Sequence, residues 1–163
     1  MLQGLSNFCG HMNPGGLLLV EYIPTAWIQK STKVNHLVDG AHKIIDAPNI
    51  GAKSWLKMYV LPEKREWDDN INTSEHGASF TRKLDFVTPV HSTQMAVEIQ
   101  NMKQYRYILR VKDRVGNSHL LGTESEPFIF SAGFRNGANG ANQQSYILSF
   151  QAKPINAPFR YDF

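Results

Sequence analysis

Cys9 and His11 are the first residues along the chain whose types could do chemistry, since a thiol beside an imidazole could bind a metal or act as nucleophile and base. The pair supplies only two ligands, and no second cluster follows at zinc-site spacing. Neighbours in a glycine-rich segment also lack the third group that orients a base toward its nucleophile. Incidental residues explain the pair better than a site does. His36, His42, His76, His91 and His119 are scattered, mostly over expected loops and strand ends, and read as surface or capping residues. Asp68 with Asp69, and Glu124 with Glu126, are the carboxylate pairs that glycoside hydrolysis would need. Such carboxylates must face each other across a cleft, whereas adjacent residues on a strand point to opposite faces. Gly133 and Gly137 do not follow a strand and open a helix, so they make no phosphate cradle. Asp113-x-x-Gly116 lacks the spaced acids of a calcium loop and is explained by a tight turn. No constellation emerges, and neither a cofactor nor a metal is expected.

The elements that would position these residues are mostly strands. From Gln104 to Val111, Tyr105, Tyr107, Leu109 and Val111 alternate with Arg106 and Arg110, the period of a strand with one buried face. Asp113 to Gly116 is a turn, after which the chain runs into Leu120-Leu121-Gly122-Thr123. Phe128-Ile129-Phe130 follows, and Phe134 to Gln144 is a Gly/Asn-rich loop or hairpin tip. Ser145 to Gln151 repeats the alternation, with Tyr146, Leu148 and Phe150 on one face. Upstream, Leu17 to Ile23 is an apolar run buried on both faces; Pro24 interrupts it and Ala26 to Ile28 could resume it. Asp39-Gly40 marks a hairpin. Trp55 to Val60 is rich in strand formers. Glu63 to Asp69 is charged on both faces and reads as an edge strand or hairpin arm. Asn70 to Gly77 reads as loop, and Ser79 to Val87 as a strand whose apolar face (Phe80, Leu84, Phe86) also holds Arg82. Between Ser92 and Met102 the period changes: Met95, Ile99 and Met102 stack at helical spacing, with Ser92 or Thr93 placed to cap.

At 163 residues the chain suits one domain, read as 17–152, with an N-terminal arm (1–16) and a C-terminal arm (153–163). Seventeen basic against 14 acidic residues give a formal charge of +3, dispersed and without the basic stripe of a nucleic-acid binder. A single cysteine excludes an intrachain disulfide and fits a reducing cytoplasm. Neither a signal peptide nor a membrane span is expected, because the run Leu17 to Val20 is too short for either. The terminal aromatics Phe159, Tyr161 and Phe163, behind Pro154 and Pro158, read as an anchor for a neighbouring subunit, although a carbohydrate platform is the other option.

Tyr105 to Asp113, then Gly116 and Leu120 to Thr123, resemble the C-terminal half of small tail-tube-like virion proteins of tailed bacteriophages, notably those of Bacteroidetes hosts. Tyr146-Ile147-Leu148-Ser149-Phe150, the Pro154/Pro158 tail and the Phe80 to His91 segment extend the likeness to about half the chain. The shared motifs are strand and turn signals. The resemblance implies a mainly β protein: an antiparallel β-sandwich or half-barrel with one short flanking helix and extended terminal arms. It further implies a non-enzymatic subunit of a hexameric or higher ring in the tail tube, neck or hub. Its partners would be itself and other tail or neck proteins, with DNA passing through unrecognised. The protein would be assembled in the host cytoplasm and reside in the virion. Phe159, Tyr161, Phe163, Arg114 in the turn and Trp67 in the charged strand are the expected subunit-interface residues. The chief rival is a β-sandwich binding module, a fibre or carbohydrate-binding domain using Trp27, Trp55, Trp67 or the terminal aromatics. A small hydrolase built on Cys9 or the Asp68/Asp69 pair is the third possibility.

Overall fold

The structure, a computed structural model, describes residues 17–29, 34–38, 41–44, 48–58, 65–75, 77–88, 92–135, 144–154 and 159–160, of which 34–38, 41–44, 65 and 159–160 are described by their backbone. Within these, the protein is mainly β. Strand β1 (Leu17–Pro24) is buried along most of its length and ends at Pro24. The expected resumption of that strand is instead a 3-10 turn, Thr25–Trp27, closed by the Ile28 N–H donating to Thr25 O. Strands β2 (Val34–Val38) and β3 (Ala41–Ile44) pair antiparallel with Val38 opposite Ala41, as a hairpin requires; Asp39-Gly40 themselves lie outside the described residues. Next come β4 (Leu56–Lys57), β5 (Arg65–Ser74), β6 (Gly77–Thr88) and helix α1 (Thr93–Met102). The chain ends with β7 (Arg106–Asp113), β8 (Ser118–Leu121), β9 (Phe128–Arg135), β10 (Ser145–Ala152) and β11 (Phe159–Arg160).

The strands bond into one sheet in the order β2-β3-β11-β8-β7-β9-β10-β6-β5, with β1 on the other edge of β7 and β4 beyond β1. Every pairing is antiparallel except β3 with β11. Strand β7 is the branch point. Its first residues pair with β9 (Tyr107 opposite Phe128) and its later ones with β8 (Leu109 opposite Leu121), while β1 runs along its other side. The sheet curls enough that Trp67 on β5, the last strand of the path, meets His119 on β8, ring centroids 5.2 Å apart. The expected half-barrel with one helix is therefore the form the described residues take.

The inner face holds the main core: Val20 and Tyr22 of β1, Leu84 and Phe86 of β6, Tyr107 and Leu109 of β7, and Phe130, Leu148 and Phe150 of β9 and β10. Apolar positions two apart on each strand point to that face, so the curl buries them together. Helix α1 closes one end. Ser92 caps it by accepting a 3.2 Å hydrogen bond from the Met95 N–H, and Ile99 and Met102 turn inward, as their spacing predicts. The Tyr107 hydroxyl donates to Met102 O at 2.9 Å and ties the helix end to β7.

Strand β7 departs from the one-sided expectation. Ile108, on the face of the two arginines, is fully buried in a second cluster with Ile23, Ile50 and Leu120, against Trp27 and Trp55. Arg110 on this face stacks over Trp55 at 4.6 Å and ion-pairs with the buried Glu21 carboxylate directly across the strand pair. The period-2 signal reports two faces, and both are covered here.

The β7–β8 turn forms as expected. Gly116, at φ +100°, takes the left-handed conformation that favours glycine, and its N–H donates to Asp113 O at 3.2 Å. The Asp113 carboxylate accepts from the Asn117 N–H (2.8 Å) and side-chain amide (3.0 Å). Burial alone would raise its pKa, but the bonds from Asn117, Gly116 and Val115 outweigh it and hold the pKa below the ordinary 3.8. A folded pKa below the unfolded one means the turn's stabilisation is complete above pH 3.8 and is lost as pH falls through the lowered value. The stability gap between the native protein and Asp113→Ala, measured by urea denaturation, should accordingly be constant at neutral pH and close progressively below that point.

Candidate functional site

A cavity of about 410 Å³ opens between α1 and the end of the curled sheet. Its walls are Tyr22, Met58, Met95, Ile99, Met102 and Leu148, and its polar rim includes Lys57, Ser92, Gln94 and Glu98. Three methionines make this lining adaptable, because an unbranched thioether side chain repacks at low cost. The Tyr22 hydroxyl, 4.0 Å from Met102 Sδ, has its pKa raised by burial first and by the Glu98 charge second. Tyr107 is shifted upward by burial first and then by Tyr22, Glu98 and Tyr105, so both phenols are held neutral. A groove so lined can receive apolar side chains.

The second feature is the hairpin β5–β6. It is paired without interruption from Arg65 opposite Phe86 to Ser74 opposite Gly77. Strand β10 supports β6 only from Arg82, opposite Ala152, to Thr88, opposite Tyr146. Beyond Arg82 the two strands therefore continue as a ribbon without a third strand among the described residues. The segment Asn70–Ser74, read as loop from its polar composition, is strand because β6 supplies its hydrogen bonds. One face of the ribbon is polar (Asn70, Asn72, Ser79, Thr81). The other continues the core face outward through Ile71, Thr73, Ala78 and Phe80, with Ile71 61% exposed. At its base Arg82, 2% exposed, donates from Nε to Asp69 Oδ1 at 2.6 Å.

The residues singled out in the sequence are dispersed by the fold. Trp67 faces inward, half-buried against the main core and His119, and its indole N–H is buried with no hydrogen-bond partner among the described residues. Arg114 is exposed in the β7–β8 turn. The backbone of Phe159 pairs with Leu120 and that of Arg160 with His119 and Lys43, so these two residues of the expected C-terminal arm lie in the chain's own sheet. Tyr161, Phe163, Cys9, His11, His76, His91 and the arm 1–16 lie outside the described residues. Asp68 and Asp69 point to opposite faces, the latter engaged by Arg82. Glu126 closes a tight turn with Thr123, its N–H donating to the threonine O at 3.2 Å. No group of three or more His, Cys, Asp or Glu side chains suited to a metal occurs among the described residues.

The groove and the ribbon were both missed from sequence. The groove forms between elements far apart in the chain, and the ribbon's apolar stripe is hidden in a polar stretch until the β5–β6 register aligns it. Comparison with protein-family models, with curated proteins and with solved structures finds no match to this chain.

Proposed function

We propose that this protein is a non-enzymatic virion structural subunit that assembles with copies of itself into a ring of a phage tail, in the tube, neck or hub, around the path of the DNA. The observation that carries the reading is the β5–β6 ribbon. A two-stranded ribbon is marginal by itself in water, and this one displays an apolar face on which Phe80 is half-buried and Ile71 is 61% exposed among the described residues. Among the described residues its outer strand β5, ten residues long, pairs only with β6 and so presents an open edge, a template for pairing with another chain. Phage identity rests on the sequence resemblance; the open edge and part-exposed face support self-assembly.

The carbohydrate-module reading is weakened by its own aromatics. Lys53 lies over the Trp27 ring at 4.6 Å, Arg110 over Trp55 at 4.6 Å, and Trp67 turns inward. A sugar stacking on the covered faces would have to displace a cation. Sedimentation velocity and negative-stain microscopy on the full chain test the proposal: ring-sized or tubular assemblies that grow with concentration are the expected result. A monomer at every concentration that binds glycans would overturn it. Deleting 155–163 is a poor test, because it removes β11 from between β8 and β3 and so perturbs fold and assembly together.

A further inference from the structure

We infer that a small cavity at the C-terminal end of α1 binds a quaternary ammonium group, the cationic head of a choline-like molecule. The site is complete within one chain and owes nothing to self-assembly. The cavity, of about 130 Å³, shares Tyr22, Glu98 and Met102 with the larger groove and is walled further by Trp27, Tyr105 and Tyr107. Tyr22, Tyr107 and Met102 are buried and make the floor; half-buried Trp27 and exposed Tyr105 and Glu98 stand at the mouth. The rings arrive from three elements. Tyr22 and Tyr107, on the paired strands β1 and β7, meet edge to face with centroids 5.6 Å apart and planes at 74°, so they form two adjoining walls. The 3-10 turn after Pro24 brings in Trp27. Tyr105 is held at the end of α1 by its N–H, which donates to Met102 O at 3.3 Å.

The chemistry of the lining selects a cation. Trp and Tyr rings attract cations through their quadrupoles, and Trp27 already does so, with Lys53 Nζ over its ring at 4.6 Å. Lys53 itself does not line the cavity. Glu98 is the single Asp, Glu, Lys or Arg side chain in the lining among the described residues. Its field reaches the floor, where, after burial, it adds to the raised pKa of both Tyr22 and Tyr107. The negative end of the α1 dipole points the same way, and the last turn of the helix holds no basic residue to offset it. This potential rejects an anion, and a hard metal ion would need several oxygen donors where one carboxylate stands. A primary ammonium would bring three N–H donors to walls that are mostly rings. A quaternary ammonium has none, and its methyl groups pack on those rings while its charge meets them and Glu98. Size agrees as well: a cavity of about 150 Å³ takes up benzene, and a trimethylammonium head is of similar bulk.

The test titrates the full chain with choline and follows saturation transfer to its methyl protons by NMR. Binding should be saturable and at least about tenfold tighter than that of 3,3-dimethyl-1-butanol, the uncharged carbon isostere. Glu98→Gln, at an exposed position, should weaken choline about fivefold and leave the isostere unchanged. Lys53→Met removes the one cation over Trp27 and should tighten choline about threefold. Phosphatidylcholine vesicles identify the source of the head. Co-sedimentation reversed by free choline makes it a lipid headgroup, choline binding without vesicle association makes it a free solute, and either upholds the site. Equal binding of choline and its isostere, no saturable choline binding, or a Glu98→Gln chain that binds choline as the native one does overturns it.

Discussion

Phe150→Ala is expected to cost about 3–5 kcal/mol of folding stability, the range for deleting a fully buried phenylalanine. Phe150 is inaccessible to solvent and stands at the centre of an aromatic cluster. Its ring lies 5.0 Å from Phe130, 5.6 Å from Tyr107, 6.2 Å from Phe86 and 6.4 Å from Tyr22, measured between centroids. These neighbours come from β9, β7, β6 and β1, so one side chain joins four strands of the curl. Truncation removes the apolar burial and leaves a cavity between rings that are each held by other contacts and cannot collapse onto it. Domains of this size are stable by about 5–15 kcal/mol, so the loss takes a large share of the total. Phe134, 49% exposed beside Tyr146, is the internal control, and its truncation should cost within about 0.5 kcal/mol. Urea denaturation measures both. Equal losses for the two variants would mean that the sheet does not close around Phe150.

The second large effect is expected at Asp69. Arg82 occupies an inward position of β6 between Phe80 and Leu84, where its guanidinium is nearly excluded from water and bonded to Asp69. Asp69→Ala removes that carboxylate and leaves a buried positive charge without its 2.6 Å Asp69 partner. The cost of breaking such a pair is about 3–5 kcal/mol, and the 22% exposure of Asp69 places this case at the lower end. Replacing both partners with apolar residues, Asp69→Leu with Arg82→Met, should restore most of the loss, since neither charge then has to leave water. A double-mutant cycle on thermal unfolding reads the coupling directly. Additive single losses would show that the pair is not coupled. The pair also sits where β10 stops supporting β6, so Asp69→Ala should loosen the ribbon and weaken assembly more than its effect on the core alone would predict.

Much of the fold was legible because its signals are local. The cap at Ser92, the helical spacing of Met95, Ile99 and Met102, the left-handed Gly116 turn, and the alternation through Tyr107, Leu109 and Val111 each follow from neighbouring residues and the backbone they favour. Burial on both faces holds from Val20 to Ile23, whereas Leu18, in the same apolar run, is 60% exposed. The antiparallel pairing of β2 with β3 needed only the turn signal between them.

What the tertiary structure decided depends on partners distant in sequence. Asn70–Ser74 is polar enough to be loop, and becomes strand because β6 accepts and donates its backbone hydrogen bonds whatever the side chains are. Ile108 and Arg110 share a face that alternation alone assigns to solvent; Trp55, Ile50 and Glu21 cover it. The Pro-rich tail looks like a free arm, yet the Phe159–Arg160 backbone fills the gap between β8 and β3. Groove and ribbon exist only once α1 lies over the sheet and β5 aligns with β6. The sequence by itself therefore determined the elements whose signals are local and displayed none of the familiar catalytic motifs. Which surfaces remain uncovered, and so what the protein can join, was decided by long-range pairing, because uncovered area is a property of the whole packed sheet and of no single segment.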